Sequence, residues 1–566
     1  MKTWKIKPLP NPELVQNLAQ QLKLNVYLTK LLIQRGINTP EEAQLFFHPD
    51  LSHLHDPFLM KGMDKAVARI STALNKKEKI LVYGDYDVDG TTSIALMVSY
   101  LKSQQATVEF YTPDRYKEGY GVSLPGIVYA KEKGVTLIIS LDCGINAHSA
   151  IQSACDANID FIVCDHHLPD NILPPALAIL DPKQPECHYP FKELSGCGIG
   201  FKLIQALAIS KGFDIQTIKP WLDLVTLSIA SDIVPVTGEN RILSAHGLKI
   251  INSTPRPGIR ALLDMLGKKS AFSISDLVFG VGPKINAAGR ISSARLAVDL
   301  LMADEMETAR KLAIDINTHN DTRKEFDADT TFEALELLKQ TEGYNEMCTT
   351  VIYHPEWQKG VIGIVASRLI EHHYRPTIVL TKSNGVAVGS ARSVAGFDIY
   401  QALSSCKDLL IQYGGHKYAA GLTISTEKIP EFIQKFDEEV TKKITKEQLV
   451  SSIEIDLKIN LSQILPDFVR KLSDFEPYGP GNMAPVFMSE TVYDSGFARK
   501  VGSNHLKMVL RQENSISFDG IAFGMAEHYP YISRGIPFNA CYCVEENEWN
   551  GRRTVQLNVK DVNYTM

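Results

Sequence analysis

The feature that most restricts the fold is a recurrence. Short apolar runs each end in acidic or imidazole side chains and then give way to a helical pattern. Leu81-Val82-Tyr83-Gly84-Asp85-Tyr86-Asp87-Val88-Asp89-Gly90 shows it best. Residues 80–83 read as a buried strand, and Ile94, Met97, Val98 and Leu101 follow at the i, i+3, i+4, i+7 spacing of a helix. Asp85, Asp87 and Asp89 therefore fall on a turn at the carboxyl end of a strand, where open α/β sheets bind ligands. Alternate residues of an extended segment point to one side, so the three carboxylates converge and repel unless a cation joins them. Hard oxygen donors suit Mg²⁺ or Mn²⁺. The plainer reading is a turn whose aspartates cap the helix. One aspartate suffices for a cap, and three favour metal.

The pattern repeats between residues 60 and 240. Residues 108–111 run into a polar loop that carries Arg115. Residues 135–141 end in Asp142-Cys143-Gly144, residues 161–164 in Asp165-His166-His167, and residues 177–180 in Asp181-Pro182. An apolar helix-like run ends in Ser231-Asp232-Ile233-Val234-Pro235. This is a parallel, doubly wound pattern. Taken singly, Asp142 could cap a helix and the histidines could be partly buried and satisfied. Taken jointly on one sheet edge, these groups cannot be desolvated cheaply without cations. Two divalent ions about 3.5–4 Å apart would clamp a phosphoryl group and activate a water.

The motifs around Asp87 and Asp89, Asp142, Asp165-His166-His167 and Asp232 stand in the order of the four motifs of the DHH phosphoesterases, and the chain resembles that superfamily. The resemblance implies that Asp87, Asp89, Asp142, His166 and Asp232 are metal ligands, with Asp142 bridging and taking part in catalysis with His166. It puts His167 beside the scissile phosphate. Pyrophosphatase-type members have histidine where this chain has Tyr83, and Asp85 is the candidate substitute ligand.

Further along, Phe279-Gly280-Val281-Gly282-Pro283-Lys284-Ile285-Asn286-Ala287-Ala288-Gly289-Arg290 reads as a loop leading to a helix. Asn286 and Arg290 can donate there to phosphate oxygens. From Leu296 on, about forty residues of high helix propensity predict a long connecting helix. A second α/β pattern follows. Ser390 and Arg392 end one strand, and Gly414-Gly415-His416 follows a helix; small residues and isolated cations suit phosphate better than metal. Together these stretches match the DHH-associated domain, whose glycine-glycine-histidine segment binds substrate. Beyond residue 450, short alternating strands predict a small antiparallel barrel of OB type. Phe497, Arg499, Lys500, His505 and Lys507 interleave aromatic and basic groups there, as single-strand binders do.

The expected organisation is a helical lead-in (residues 1–60), an α/β DHH core with a doubly wound parallel sheet (61–295), a connecting helix (296–345), a second α/β domain (346–445) and an OB-type barrel (446–566). The whole resembles the RecJ-type single-strand exonucleases. That resemblance implies a cofactor of two divalent cations, Mn²⁺ or Mg²⁺, and 5′ to 3′ hydrolysis of single-stranded DNA in repair and recombination, in a cleft between the two α/β domains that excludes a duplex. It suggests Arg115, Ser390 and Arg392 for the 5′-terminal phosphate. It also makes a single-strand-binding protein and a helicase the candidate partners. The barrel is expected to bind strand away from the metals and to be removable without loss of the chemistry.

Two rivals stand: a phosphodiesterase of the same superfamily acting on short oligoribonucleotides or cyclic dinucleotides, and a strand-binding scaffold without metals. The net charge of −6 neither advertises nor excludes nucleic acid. Nine scattered cysteines without a CxxC pair predict reduced thiols, and Cys187-His188 with Cys197 fits no common zinc spacing. With no apolar run of roughly 18 residues and no signal-peptide core at the start, a soluble cytoplasmic protein with no membrane contact is expected, and the resemblance implies a bacterial one.

Overall fold

In the computed structural model, which describes residues 2–564 except 342, 345, 514, 550 and 551, the apolar runs pair into one parallel sheet. Its strands are β1 (Lys79–Gly84), β2 (Thr107–Tyr111), β3 (Leu137–Leu141), β4 (Asp160–Cys164) and β5 (Ala178–Leu180). They lie in the order β2-β1-β3-β4-β5. Their side chains alternate between two apolar layers. Ile80, Val82, Leu137, Ile139 and Ile162 enter one, and Leu81, Tyr83, Ile138, Phe161 and Val163 the other. Strands buried on both faces read as unbroken apolar runs. The chain leaves β1 towards β2 on one side and β3 on the other, so the switch of direction opens a crevice at the carboxyl ends of β1 and β3. Asp85 follows the first of these strands and Asp142 the second.

The chain divides into two units: residues 6–316 with 454–566, and residues 317–453 with the first few residues. A helix, Ala294–Leu301, and a longer one, Met306–Gln340, stand where one connecting helix was expected. The longer helix carries the chain from the first unit into the second. In the second unit, β6 (Thr350–Tyr353), β7 (Thr377–Ser383), β8 (Val386–Arg392), β9 (Leu410–His416) and β10 (Ala419–Ile424) form a sheet of order β9-β10-β8-β7-β6. Only the β6–β7 pair is parallel.

The barrel belongs to the first unit. Its strands are β11 (Phe487–Asp494), β12 (His505–Arg511), β13 (Phe518–Ala522), β14 (Phe538–Trp549) and β15 (Arg552–Asn563). They pair round the ring β11-β14-β15-β13-β12-β11, and the closing seam is only Tyr493↔Arg511 and Asp494↔Leu510. The β13–β15 seam is parallel, so the ring is not wholly antiparallel. This is OB topology with a short closure.

The barrel shares its core with the N-terminal helices. Leu28, Leu31 and Leu32 of helix Val26–Gln34 pack in one buried cluster with Phe487, Met508 and Leu557. Arg241, on helix Gly238–Ile251, donates to the carbonyls of Phe46, Asp474, Phe475, Glu476 and Pro477 at 2.9–3.3 Å. Removing the barrel would uncover this surface, so it is not the separable module that its sequence suggests. Among the described residues, no helix is long and apolar enough to cross a membrane.

Candidate metal centre

The site is built at the strand ends. β1 stops at Gly84, and Asp87 then caps helix Val88–Ser103, its Oδ1 accepting from the Gly90 amide at 3.0 Å. The three aspartates thus do not share one extended strand; Asp89 lies in the first helical turn, and the sharp turn itself brings them round. Gly90 allows it, because a Cβ there would stand 2.4 Å from the Asp85 carbonyl oxygen. Both oxygens of Asp89 are held by protein donors. Its Oδ2 accepts from the Gly196 amide at 2.7 Å, and its Oδ1 accepts from the Cys197 amide at 2.8 Å and Ser228 Oγ at 2.7 Å. Gly196 also lies against Asp142, where a Cβ would meet the aspartate Cβ at 2.6 Å. Asp142 itself has left-handed backbone at φ +61°, as does Ile233 at +62°.

His166 is the centre of the cluster. Its Nε2 lies 3.1 Å from Asp142 Oδ1, 3.6 Å from Asp232 Oδ2 and 3.8 Å from Asp89 Oδ2. Among the described residues, two groups are close enough to share an ion: Asp142, His166 and His167, and Asp89, His166 and Asp232. Cys187 and His188 are in neither, and burial pushes the Cys197 thiol well up, away from the thiolate that zinc would require. Asp85 and Asp87 are in neither group, although Asp85 is wholly buried.

The electrostatics strain against the fold. Burial, followed by repulsion from Asp89, Asp87 and Asp232, pushes Asp142 well above the carboxylate range. Burial and then Asp89 and Asp87 do the same to Asp232, and burial and then Asp87 to Asp85. Both oxygens of Asp85, with Oδ2 of Asp142 and of Asp232, are buried without a protein donor. Carboxylates orphaned in this way, with the imidazoles of His166 and His167 and no available thiolate, fit a hard divalent cation.

Asp165 has a different task. Its Oδ1 accepts from the His166 and His167 amides and, at 2.7 Å, from His167 Nδ1, while Oδ2 accepts from the Ile145 amide at 2.9 Å. Burial alone would raise it, but the His167 contact, the charges of both histidines and the amides hold it down to about 2. The pair in turn raises His167, although burial opposes this. Tyr120 donates to the Asp142 carbonyl at 3.0 Å and lies 3.3 Å from His167 Nε2. Sequence reasoning assigned nothing to Asp165, Tyr120, Gly196 or Ser228. Asp165 alone carried a signal, as part of its motif.

Of the remaining expected residues, Arg115 lies over the Tyr86 ring at 4.8 Å. Asn286 and Arg290 sit four apart on helix Gly282–Ile291, which starts earlier than the loop-then-helix reading suggests. Just before it, Leu277–Val281 forms a π-helical turn. The glycines are used for close packing instead: a Cβ on Gly289 would stand 2.6 Å from the Tyr86 carbonyl oxygen. Ser390, Arg392, Gly414, Gly415 and His416 lie in the second unit. Arg392 Nη1 donates to Ser390 Oγ at 3.0 Å. Gly363, at the start of helix Ile362–His372, faces both, since a Cβ there would meet Arg392 Nη2 and Ser390 Oγ at 2.9 Å. Across the sheet, Gly414 pairs with Gly421 and Gly421 with Ser390.

Residues 79–229 match the DHH family, N-terminal domain; residues 345–442 the DHHA1 domain; and residues 455–561 the RecJ OB domain. The single-stranded-DNA-specific exonuclease RecJ of Bacillus subtilis is 37% identical over 99% of this chain and 70% of its own length. That of Escherichia coli is 32% identical over 94% and 95%. The chain belongs to the RecJ family. A crystal structure of RecJ from Thermus thermophilus in complex with Mn²⁺ superposes with a TM-score of 0.85 at 27% identity, covering 100% of this chain and 80% of that one. The same protein in complex with Mg²⁺ gives 0.78 at 26% identity, over 100% and 79%.

Proposed function

We propose that this chain is a divalent-cation-dependent exonuclease that hydrolyses single-stranded DNA from its 5′ end, as a member of the RecJ family. The observation that carries the reading is the set of orphaned, mutually repelling carboxylates around His166 at the strand ends. Asp89, Asp142, His166 and Asp232 would hold one cation, and Asp85 and Asp87, with Asp142 bridging, a second. Mn²⁺ or Mg²⁺ bound there would supply charge that stabilises the pentacoordinate transition state at phosphorus and would lower the pKa of an attacking water. The chain's own residues do the rest. Gly196, Cys197 and Ser228 fix both oxygens of Asp89. Asp165 holds His167 by Nδ1, so that Nε2 is the end presented to a phosphate oxygen, with Tyr120 beside it.

In the second unit, Ser390 and Arg392 beside the first turn of helix Ile362–His372 suit a terminal phosphate, because helix N–H groups and a guanidinium both favour the dianion. The Gly414–Gly421 pair offers backbone without side chains beside them, with Gly415 and His416 following. Arg115, Asn286 and Arg290 are the corresponding phosphate donors in the first unit. The site of action is the bacterial cytoplasm, in repair and recombination. A helicase that opens duplexes and a single-strand-binding protein are the partner classes that supply such strands.

The RecJ OB match counts against the oligoribonucleotide reading, and the complete acidic cluster against an inert scaffold. The test uses single-stranded and duplex DNA, each labelled at either end, with and without Mn²⁺. Cation-dependent release of mononucleotides from the 5′ end of single strands alone is expected. Release from the 3′ end, or equal attack on duplex, overturns the reading.

A further inference from the structure

Phe279 is 80% exposed, more than any other large apolar side chain among the described residues. It does not sit on a loose loop. It lies in the π-helical turn Leu277–Val281, whose end residues Leu277 and Val281 are fully buried. Its neighbour Gly280 is pressed on Leu266, where a Cβ would meet both Leu266 methyls at 2.9 Å. A turn with one residue too many is uncommon and gathers at functional sites; here it turns a phenyl ring outward from an anchored backbone.

The position of the turn gives that ring a use. Gly282, at the start of the following helix, packs on Ser231, with 2.8 Å from a Cβ to Ser231 Oγ. Ser231 precedes Asp232, whose carboxylate lies 3.6 Å from His166. The far end of the same helix packs through Gly289 on Tyr86, between Asp85 and Asp87. Helix Gly282–Ile291 therefore runs beside the acidic cluster from Ser231 to Tyr86, about 10 Å between Gly282 and Gly289 at 1.5 Å per residue. Asn286 and Arg290 lie one turn apart along it, and Phe279 precedes it at the Asp232 end.

We infer that Phe279 is a base-stacking residue for the single strand that enters this site: a nucleobase lies on the phenyl ring while Asn286 and Arg290 take phosphates. The inference rests on the exonuclease reading. A single strand has unpaired base faces to offer, whereas a duplex has none along its length, so this contact would favour one over the other. Stacking on an aromatic ring tolerates any base, as an exonuclease that meets every sequence requires.

The experiment compares the wild-type full chain with Phe279→Ala, Phe279→Leu and Phe279→Trp. Binding of a labelled oligothymidylate and of an abasic strand of equal length is measured by fluorescence anisotropy in chelator. Mn²⁺ affinity is read separately by electron paramagnetic resonance. Phe279→Ala and Phe279→Leu should weaken oligothymidylate binding about 5- to 150-fold, the span of one base–aromatic contact. Their binding of the abasic strand and of Mn²⁺ should match the wild type. Phe279→Trp should restore binding, and its indole emission should be quenched by oligothymidylate and not by the abasic strand. Equal loss on both strands, or full rescue by leucine, overturns stacking in favour of apolar packing. Unchanged binding in all variants overturns the inference. If the wild type itself binds no single strand, the exonuclease reading falls, and this inference with it.

Discussion

Replacing Asp165 with asparagine would show how much of the centre depends on one carboxylate that holds no metal. Oδ1 accepts three donors and Oδ2 one. An asparagine can keep its carbonyl oxygen towards the three donors, but its NH₂ then opposes the Ile145 amide, donor against donor. A buried N–H stripped of its acceptor costs about 1–3 kcal/mol. The lost charge adds to this. Because the folded protein holds Asp165 at about 2 against an ordinary 3.8, the ionised form contributes roughly 2 kcal/mol. That contribution is fully present above the ordinary value and is lost as pH falls through about 2, so at neutral pH the variant forfeits all of it. The two effects overlap, and a total of about 3 kcal/mol is expected. His167 loses the partner that raised it, so the alkaline limb of the rate profile moves to lower pH, and kcat falls about 10²–10⁴-fold, the span of a misplaced acid–base group. Urea unfolding at pH 7.5 in chelator measures the first effect, and steady-state hydrolysis of a 5′-phosphorylated strand measures the second. A stability loss below about 1 kcal/mol together with an unmoved pH profile would refute the assignment.

Asp142→Ala should abolish hydrolysis, by at least about 10²-fold, with the circular dichroism spectrum unchanged; activity within tenfold of the parent would exclude a bridging role. Arg392→Ala should lower the preference for 5′-phosphorylated over 5′-hydroxyl strands, read as the ratio of the two kcat/KM values, because a bidentate guanidinium contact is not replaced by water without loss. Gly196→Ala should drive a methyl into Asp142 and displace an amide from Asp89, so Mn²⁺ affinity measured by titration calorimetry should fall more than thermal stability does. A chain ending at residue 450 should melt well below the full chain or aggregate, and adding residues 454–566 as a separate polypeptide should recover part of the loss.

The parallel sheet was legible because strands buried on both faces leave unbroken apolar runs, and the cluster was legible because its ligands follow those runs directly. Register did the rest, for β1 and β3 pair so that Gly84 lies opposite Leu141 and the residues after them meet. What the sequence hid was what the chain closes over long separations. The donors that fix Asp89 come from Gly196 and Ser228, 107 and 139 positions away, and no local pattern announces them. The three aspartates read as one extended face because nothing local says that Asp87 turns the chain as a cap. The start of residues 279–290 read as a loop before a helix because Gly280, Gly282 and Pro283 are poor helix formers; contacts with Leu266, Ser231 and Tyr86 override that propensity. Periodicity marked the apolar faces of the N-terminal helices and of the barrel, but it carries no information on which face meets which.

That shared core has a consequence for the order in which the protein is made. Gln34 donates to the carbonyl of Asp456, 422 positions later. At about 5–20 residues per second, a ribosome needs about 20–80 s to travel between the two, and longer to finish the strands that cover Leu28, Leu31 and Leu32. Throughout that interval the newly made helices hold an apolar stripe open to solvent while the acidic core behind them can already close. A segment that leaves the ribosome well before its partner is thus among the last to become stable.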